Sequence, residues 1–351
     1  CPKNMIKFGK TNAEYLRTKS FFFDTSVSRR RVEEVKRISE RYREQPRRTA
    51  CVVCSEPLEV VLFILHGVEY MLCQKCNHFN GAHEDTPEFA DYLYGKAGAN
   101  KLDVTYGDIE REEYERRVRT IYAPKVDFMV DGISAAGEDP SALTYVDLGA
   151  GAGHFVSAMR EHGLSHALGF ESSAELVSIA SRFLDDAIHQ SEMADLSGIA
   201  ASVDADVVSM IFALEHVPNL RGFLSALRSN PRIKFFYFSV PLFSTSVFLE
   251  AVFPEVMPRT LGRGHTHLFT QESIDLLCED FGLKRASEWW FGGNAVDLHR
   301  TISIALQDTM ESASAAVVWN QMMSPLIDDI QLAFDRRRQS SELHLLTEVS
   351  R

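Results

Sequence analysis

The feature that most restricts the fold of this chain is a glycine-rich turn between an apolar run and a helical segment. The run Leu143–Leu148 leads directly into Gly149, Gly151 and Gly153, and helical spacing follows over Ala152–His162. Glycines at such a turn let the backbone bend sharply and approach a ligand closely, beside the free N–H groups of a helix start. The pattern therefore predicts a strand–turn–helix unit that holds a ligand.

Strand-like and helical segments alternate after this turn, and their order predicts the fold class. The strand-like segments are Ala167–Glu171, Ala187–His189, Asp206–Phe212 and Lys234–Val240, and the helical segments are Ser173–Phe183 and Asn219–Ser229. Such alternation is typical of a parallel sheet with helices on both faces. Farther on, Thr270 predicts the N-cap of a helix that ends at Phe281, and strands follow at Leu283–Trp290 and Glu342–Val349. We expect an α/β, doubly wound domain.

Four of the six cysteines form two C-x-x-C pairs, Cys51 with Cys54 and Cys73 with Cys76. The β-like runs between the pairs predict the hairpin that a zinc ribbon needs. Four thiolates at this spacing can surround Zn²⁺ tetrahedrally, and they leave no open position for water. We therefore expect a structural zinc module that needs its metal to fold, in preference to a redox or catalytic site.

The composition restricts the partners and the location of the chain. Its 351 residues include 37 Lys and Arg against 49 Asp and Glu, a formal net charge of -12. A general nucleic-acid binder usually carries a strongly basic domain instead. No apolar run approaches the roughly 20 residues that span a bilayer, and lysines interrupt the start of the chain, where a signal region would lie. With cysteine pairs that fit a reducing compartment, the sequence predicts a soluble, cytoplasmic protein.

One basic segment, residues 29–48, stands out in this acidic chain. Val32, Val35, Ile38 and Tyr42 recur within it at helical spacing. The pattern favours an amphipathic helix with a solvated charged face. The alternative interpretation is a contact surface for phosphate groups or for an acidic neighbouring subunit.

The acidic residue Glu171 makes the glycine turn more specific. It ends the next predicted strand, 18 residues after Gly153, where a carboxylate can accept hydrogen bonds from both ribose hydroxyls of a nucleotide. A nicotinamide dinucleotide and S-adenosylmethionine both fit this arrangement. The dinucleotide fingerprint is G-x-G-x-x-G, whereas the glycines here are separated by single residues and follow Asp147.

The segment Asp147–Gly153 resembles the first motif of class I S-adenosylmethionine-dependent methyltransferases. Later segments agree in order and spacing: Ala194–Leu196 is similar to the adenine-binding loop, and Asp206–Val217 is similar to the fourth-strand motif. The resemblance covers about residues 141–290 and the final strand, and it implies a Rossmann-like sheet. The residues that it assigns to the cofactor are Asp147, Gly149, Gly151, Gly153, Glu171, Asp195, Leu196 and Phe212.

Cysteine knuckles in front of such a domain narrow the resemblance to bacterial sugar methyltransferases with an N-terminal four-cysteine module. The segments Trp289–Gly293 and Ser340–His344 look similar to a related group that is encoded with polysaccharide assembly enzymes. This likeness implies a sugar acceptor, either nucleotide-linked or part of a surface polysaccharide. The deoxysugar C-methyltransferases carry a further large C-terminal domain, whereas this sequence ends soon after the predicted last strand. The departure counts against methylation of carbon and leaves methylation of oxygen or nitrogen open.

Two alternatives come from other classes of protein. Zinc-module ribosomal RNA methyltransferases are also similar, although they would need a basic RNA-facing surface, and the net charge of -12 counts against one. A non-catalytic scaffold that kept the cofactor fold is the other alternative.

Catalytic candidates lie where loops leave the predicted sheet. Glu215 and His216 follow the fourth strand, at the edge where ligands bind in this architecture. Transfer of a methyl group to a hydroxyl usually needs a base, so His216 is a candidate proton acceptor with Glu215 orienting it; alternatively the pair closes the cofactor pocket. His265 and His267 could bind a phosphate, act as the base or anchor a loop. With no third ligand nearby in the sequence, they predict no metal site.

The sequence divides into an N-terminal helical arm at 1–50, a zinc-binding module at 51–83, a helical linker or cap at 84–140 and the cofactor-binding domain at 141–351. Within that domain we expect an acceptor loop at 241–269 and a helical insertion at 294–338. The insertion suits a lid or a homodimer surface. Tyr92, Tyr94 and Tyr106 either line the acceptor site or belong to the core.

Overall fold

The computed structural model describes residues 5–13, 16, 20–94, 109–192, 195–261, 264–309 and 314–351. The strands are β1 Met5–Phe8, β2 Val61–Leu65, β3 Val68–Leu72, β4 Phe79–Gly81, β5 Tyr145–Leu148, β6 Ala167–Glu171, β7 Ile188–Gln190, β8 Val207–Ile211, β9 Phe235–Pro241, β10 His267–Leu268, β11 Leu283–Phe291 and β12 Glu342–Val349. The helices are α1 Thr25–Arg43, α2 Pro87–Tyr94, α3 Arg111–Arg117, α4 Ala123–Ala135, α5 His154–Glu161, α6 Ala174–Leu184, α7 Leu196–Ser202, α8 Leu220–Ser229, α9 Thr245–Val252, α10 Gln271–Asp280, α11 Asn294–Thr309, α12 Ser314–Met323 and α13 Ile327–Arg336.

The larger sheet has the strand order β1-β11-β12-β9-β8-β5-β6-β7. Strands β9, β8, β5, β6 and β7 run parallel, whereas β12 is antiparallel to both β9 and β11. All seven residues of β9 are buried. Its alternate side chains enter two separate apolar cores, Phe236 and Phe238 on one face and Phe235 and Tyr237 on the other. Both faces of the sheet are therefore covered, which confirms the predicted α/β, Rossmann-like class.

The sequence correctly predicted the amphipathic helix of the basic segment, which is α1, and the helix capped by Thr270, which is α10. In α1, Val32, Val35, Ile38 and Tyr42 are all buried, so the charged side chains occupy the other face. Thr270 caps α10 through a reciprocal capping box with Ser273. The expected apolar spacing therefore gave the correct buried face.

The N-terminal arm differs from the expectation of a helical segment over 1–50. Residues Met5–Phe8 form a strand that pairs in parallel with Ser287–Trp290 at the edge of the large sheet. Lys7 lies over the ring of Trp289, at 3.9 Å from its centroid, and the indole N–H donates to the carbonyl of Gly9. The lysines interrupt the apolar pattern, so the strand depends on contacts with β11 that the local sequence does not show.

The second sheet connects the cysteine module to the large domain. Its order is β10-β4-β3-β2, and β2 and β3 form the predicted hairpin. Strand β10 belongs to the loop that follows β9, and it pairs with β4 through His267 and Leu268. The expected module at 51–83 is therefore completed by residues of the expected acceptor loop.

The expected insertion at 294–338 consists of α11, α12 and α13, with a short 3-10 turn at Ser324–Leu326. Large apolar side chains are exposed on its outer surface: Val317, Val318, Met322 and Leu326. A homodimer through this surface stays a prediction. Among the described helices, none combines the length and the apolar composition that crossing a bilayer requires.

The turn after β5 comes into close contact with the segment after β8. Gly149 has φ of 76°, and a Cβ atom at this position would lie 2.6 Å from the Cβ of Ala213. That distance is too short for two carbon atoms, so glycine is required here by both the backbone conformation and the contact. The contact holds the glycine turn and the Leu214–His216 turn together at one edge of the sheet.

We predict that Gly149→Ala lowers the free energy of unfolding by about 2–5 kcal/mol, because left-handed strain of about 1–2 kcal/mol adds to overpacking of about 1–3 kcal/mol. Gly137→Ala is the matched control, since Gly137 has φ of 93° and open space around its Cβ position. In urea unfolding, Gly137→Ala should lower the free energy of unfolding only by the left-handed strain of about 1–2 kcal/mol. Equal losses in both variants would contradict the contact with Ala213.

Candidate active site

The glycine turn and the end of β6 form one side of the candidate site. The N–H of Gly151 donates to one carboxylate oxygen of Glu171 at 2.8 Å, and the N–H of Ser173 donates to the other at 2.7 Å. A Cβ atom at Gly151 would meet no atom within 4 Å, whereas one at Gly153 would lie 2.5 Å from Leu184. Gly153 therefore packs the start of α5 tightly, and Gly151 borders open space. This open side can receive a ligand between the turn and Glu171.

Asp147 and Lys125 bring two buried opposite charges to this region. Asp147 accepts a hydrogen bond from Ser209 at 2.6 Å, and burial raises the pKa of its carboxyl to about 7. Burial likewise lowers the pKa of Lys125, on α4, to about 7. The Lys125 ammonium lies 5.2 Å from the ring centroid of Phe212. Sequence reasoning missed Lys125; a lysine inside the apolar pattern of α4 was the available signal.

Phe212 sets the direction of the chain after β8. Its φ is 54°, which is unusual for a residue other than glycine. Its N–H donates to both the carbonyl and the hydroxyl of Ser239 at 3.1 Å, and these bonds to β9 hold the left-handed conformation. The next residues then turn back across the sheet edge, which brings Glu215 and His216 into the site.

Glu215, His216 and His265 form a cluster, here called the Glu–His–His cluster. The Nε2 atoms of His216 and His265 lie 3.9 and 3.7 Å from the same carboxylate oxygen of Glu215, and the two rings stack at 5.5 Å. Among the described residues, neither oxygen of the Glu215 carboxylate has a hydrogen-bond partner. Burial raises the pKa of Glu215 to about 8, and it lowers the pKa of His265 to about 4 and that of His216 well below its usual value.

The orientation of His265 is fixed by the loop that carries it. Its Nδ1 atom lies 2.8 Å from the carbonyl oxygen of Thr260, so Nδ1 carries the proton and Nε2 presents a lone pair. The N–H groups of Thr260 and Leu261 donate to the buried carboxylate of Glu250 at 2.6 and 2.8 Å. The loop is thus tied to α9, and the His265 lone pair faces Glu215.

His267 has a different environment from His265. One ring nitrogen lies 3.0 Å from Nε2 of His78, and the ring also donates to the backbone carbonyl of Glu215. Because both ring nitrogens have protein partners, His267 holds the Glu215 turn in place. It therefore has the environment of a loop anchor, one of the alternatives that the sequence left open.

A cleft of about 240 Å³ opens beside the cluster. The cysteine module and the residues before it contribute Arg48, Thr49, Ala50 and Val52, and the sheet edge contributes Glu215 and His216. Phe89 and Leu93 of α2 form an apolar part of the wall. Sequence reasoning did not predict these contributions from the module and α2. They are brought to the site by the sheet that the two parts share.

The predicted tyrosines and the adenine loop are only partly described. Tyr92 packs on Phe89 at 6.2 Å between ring centroids and is not among the cleft residues. Tyr106 and Ala194 lie outside the described residues, and so does the side chain of Tyr94. Asp195 is exposed at the start of α7, and Leu196 is buried in the core.

The four cysteines of the module come together as predicted. Their sulfur atoms all lie within 4.8 Å of one another, with separations of 3.7 Å for Cys51–Cys76 and 3.4 Å for Cys54–Cys73. Zinc–sulfur bonds of about 2.3 Å in a tetrahedron require sulfur atoms about 3.8 Å apart. The amide of Asn80 lies 3.7 Å from the sulfur of Cys51 and can stabilise a thiolate. The donor set and its spacing therefore fit Zn²⁺.

Comparison with known families identifies the large domain. Residues 114–288 match the family described as "Methyltransferase domain". This part of the chain is a class I S-adenosylmethionine-dependent methyltransferase domain. The matched range runs from α3 to β11, so it contains the glycine turn, Glu171 and the Glu215–His216 turn. No curated protein sequence matches the chain.

Solved structures similar to this chain include methyltransferases with varied acceptors. Magnesium protoporphyrin IX methyltransferase from Synechocystis PCC 6803, with bound SAH, is 16% identical; the match covers 76% of this chain and 100% of that chain, with a TM-score of 0.44. The plantazolicin methyltransferase BamL, with a desmethyl analogue and SAH, is 16% identical, with 75% and 94% covered and a TM-score of 0.46. A SAM-dependent methyltransferase from Archaeoglobus fulgidus is 14% identical, with 68% and 94% covered and a TM-score of 0.40.

We predict that the purified protein holds one zinc ion and that Cys73→Ser removes it and lowers the free energy of unfolding by at least about 3 kcal/mol. The cause is the loss of a metal that stabilises a module joined to the methyltransferase domain. Elemental analysis and chemical unfolding measure the two effects. Cys278→Ser is the matched control, because this buried thiol lies outside the cluster. Metal content that is unchanged in Cys73→Ser would contradict the zinc site.

Proposed function

We propose that this chain transfers the methyl group of S-adenosylmethionine to an oxygen or nitrogen of a small polar acceptor, most specifically a sugar that is nucleotide-linked or part of a surface polysaccharide. One observation carries this proposal. The cleft beside the cysteine module is lined by Glu215 and His216. Glu215 lies only two residues after Ala213, and Ala213 contacts the glycine turn at Gly149. The cofactor side and the cleft are therefore adjacent at one sheet edge.

The residues around the glycine turn suit the parts of the cofactor, which supplies an electrophilic methyl group on a sulfonium. The Glu171 oxygen that accepts from Gly151 keeps a further lone pair for a ribose hydroxyl, and the other oxygen accepts from the N–H of Ser173 and the hydroxyl of Ser172. Asp147 and Lys125 offer opposite charges to the ammonium and carboxylate of the methionine part. The exposed Asp195, next to the buried Leu196, is the proposed partner of the adenine amino group.

The walls of the cleft support a polar acceptor with a partly apolar surface. Glu84, Thr49 and Thr266 supply carboxylate and hydroxyl groups, and Phe89 supplies an aromatic wall. A sugar presents hydroxyl groups at its rim and carbon–hydrogen bonds on its ring faces, so both kinds of wall can contact it. The volume of about 240 Å³ suits one such ring more than an extended polymer.

The Glu–His–His cluster is the proposed place for deprotonation. When an acceptor hydroxyl attacks the methyl carbon, the new O–C bond forms as the C–S bond breaks, and the hydroxyl proton must leave. The lone pair of His216 can take this proton, and Glu215 lies beside the ring to orient it. His265 presents a second lone pair at the same place.

The basic segment does not favour the RNA alternative. Several of its cations pair with carboxylates: Arg29 with Asp308, Arg31 with Glu34, Lys36 with Glu33 and Glu255, and Arg41 with Glu44. Charges that are already neutralised contribute little to the release of counterions from a nucleic acid. The segment therefore supports the charged face of an amphipathic helix.

We predict that Ala50→Trp, which fills the cleft from the module side, lowers kcat/KM for the acceptor by about tenfold or more, equivalent to about 1.4 kcal/mol. The affinity for S-adenosylmethionine should stay within about twofold, since Ala50 lies on the acceptor side. The assay follows labelled methyl groups from S-adenosylmethionine into a panel of nucleoside-diphosphate sugars.

The matched control is Glu59→Trp, which places the same side chain on an exposed part of the module outside the cleft lining. It should behave as the unchanged protein. Two results would contradict the proposal: transfer by Ala50→Trp at the original rate, or no transfer by the unchanged protein to any sugar of the panel.

A further inference from the structure

In the Glu–His–His cluster, the rings of His216 and His265 lie beside one buried carboxylate, that of Glu215. Both carboxylate oxygens of Glu215 lack a hydrogen-bond partner among the described residues, and the side chain of Glu215 is fully buried. The Nε2 lone pair of His265 points at this carboxylate because Nδ1 donates to Thr260. A buried carboxylate without a hydrogen-bond donor or a cation beside it is destabilising, so the arrangement calls for a positive charge.

A shared proton does not satisfy this arrangement. If Glu215 carried a proton, its O–H would have to reach a histidine nitrogen at 3.7 or 3.9 Å. A hydrogen bond of this kind needs its heavy atoms within about 3.2 Å. The separations therefore leave room for a larger species than a proton between the three side chains.

The separations suit a metal ion. One ligand atom from each of Glu215, His216 and His265 lies within 4.8 Å of the others. Bonds of about 2.0–2.2 Å to nitrogen and oxygen place tetrahedral ligand atoms about 3.3–3.6 Å apart. The carboxylate-to-imidazole distances exceed that range by only a few tenths of an ångström, a difference that small side-chain rotations remove.

We infer that Glu215, His216 and His265 bind a divalent first-row transition cation at the wall of the cleft, separate from the four-cysteine site. Two imidazoles and one carboxylate are a ligand set of zinc and iron centres, and imidazole disfavours Mg²⁺ and Ca²⁺. Three protein ligands leave coordination positions open, unlike the closed set of four thiolates. Since Glu215 and His216 line the cleft, the open positions face it.

The role of this cation rests on the proposed function, whereas its binding does not. At the cleft wall it would hold an oxygen of the acceptor next to the methyl group and favour the deprotonated oxygen. While the cation is bound, His216 is one of its ligands, and water in the cleft takes the acceptor proton. His216 is the base described under the proposed function only in the protein without this cation. This site was not predicted from sequence, because Glu215 lies 50 residues before His265 and outside the local pattern of His265 and His267.

The test uses the full chain with its thiolate site filled by one equivalent of zinc. Titration with Co²⁺ should show one further equivalent bound, with visible d–d absorption and no sulfur-to-cobalt charge-transfer band. Glu215→Gln and His265→Ala should each weaken cobalt binding at least as much as the roughly 10–100-fold that loss of a second-shell partner costs. His162→Ala is the control, because this histidine pairs with Asp127 away from the cluster and should leave cobalt binding unchanged.

Each outcome is decisive. Failure to take up a second equivalent, or uptake that both cluster variants retain, overturns the inferred site. Binding of S-adenosylmethionine, measured by calorimetry on the same samples, separates this result from the proposed function. Cofactor binding without a second cation overturns only the metal inference, and cobalt binding without cofactor binding overturns only the proposed function. Normal melting temperatures show that the variants are folded.

Discussion

The close contact between Gly149 and Ala213 is the constraint on which the site depends. It allows the loops after β5 and β8, two neighbouring parallel strands, to approach within van der Waals distance at their carboxyl ends. Any side chain at position 149 would separate the glycine turn from the Leu214–His216 turn. Cofactor and acceptor chemistry must meet within bonding distance for a methyl group to pass, so this approach is a functional requirement as well as a packing one.

The cysteine module is physically connected to the chemistry of the methyltransferase domain. Cys76 is followed by His78, whose ring contacts His267, and His267 in turn donates to the backbone of Glu215. The hydrogen bonds between β4 and β10 run beside this chain of contacts. A metal in the thiolate cluster would therefore stabilise the turn that carries the candidate catalytic residues. This connection gives a structural zinc a reason to accompany the domain without taking part in the reaction.

Much of the fold was predictable because its signals are local. Ala167–Glu171 and Glu342–Val349 are strand-like segments, and their predicted bounds agree with β6 and β12. Met5–Phe8 gave no such signal, since lysines break its pattern and its partner strand is far along the chain. Parts of the site were hidden for the same reason. Lys125 lies on a helix before the glycine turn, and it reaches Phe212 only through the tertiary fold.

The residues proposed for the cofactor at the glycine turn have a local sequence signal, because their spacing is tied to the turn itself. The walls of the cleft come from segments with no shared motif. Calorimetric titration of the zinc-loaded protein with S-adenosylmethionine, and separately with NADH, tests the cofactor site most directly. It should be repeated on Glu171→Ala and on the exposed control Glu175→Ala. We expect micromolar binding of S-adenosylmethionine and no binding of NADH. Only Glu171→Ala should weaken this binding, by at least about tenfold, since a hydrogen bond to a charged group is lost. Binding of NADH instead, or of neither compound, would contradict the proposed cofactor site.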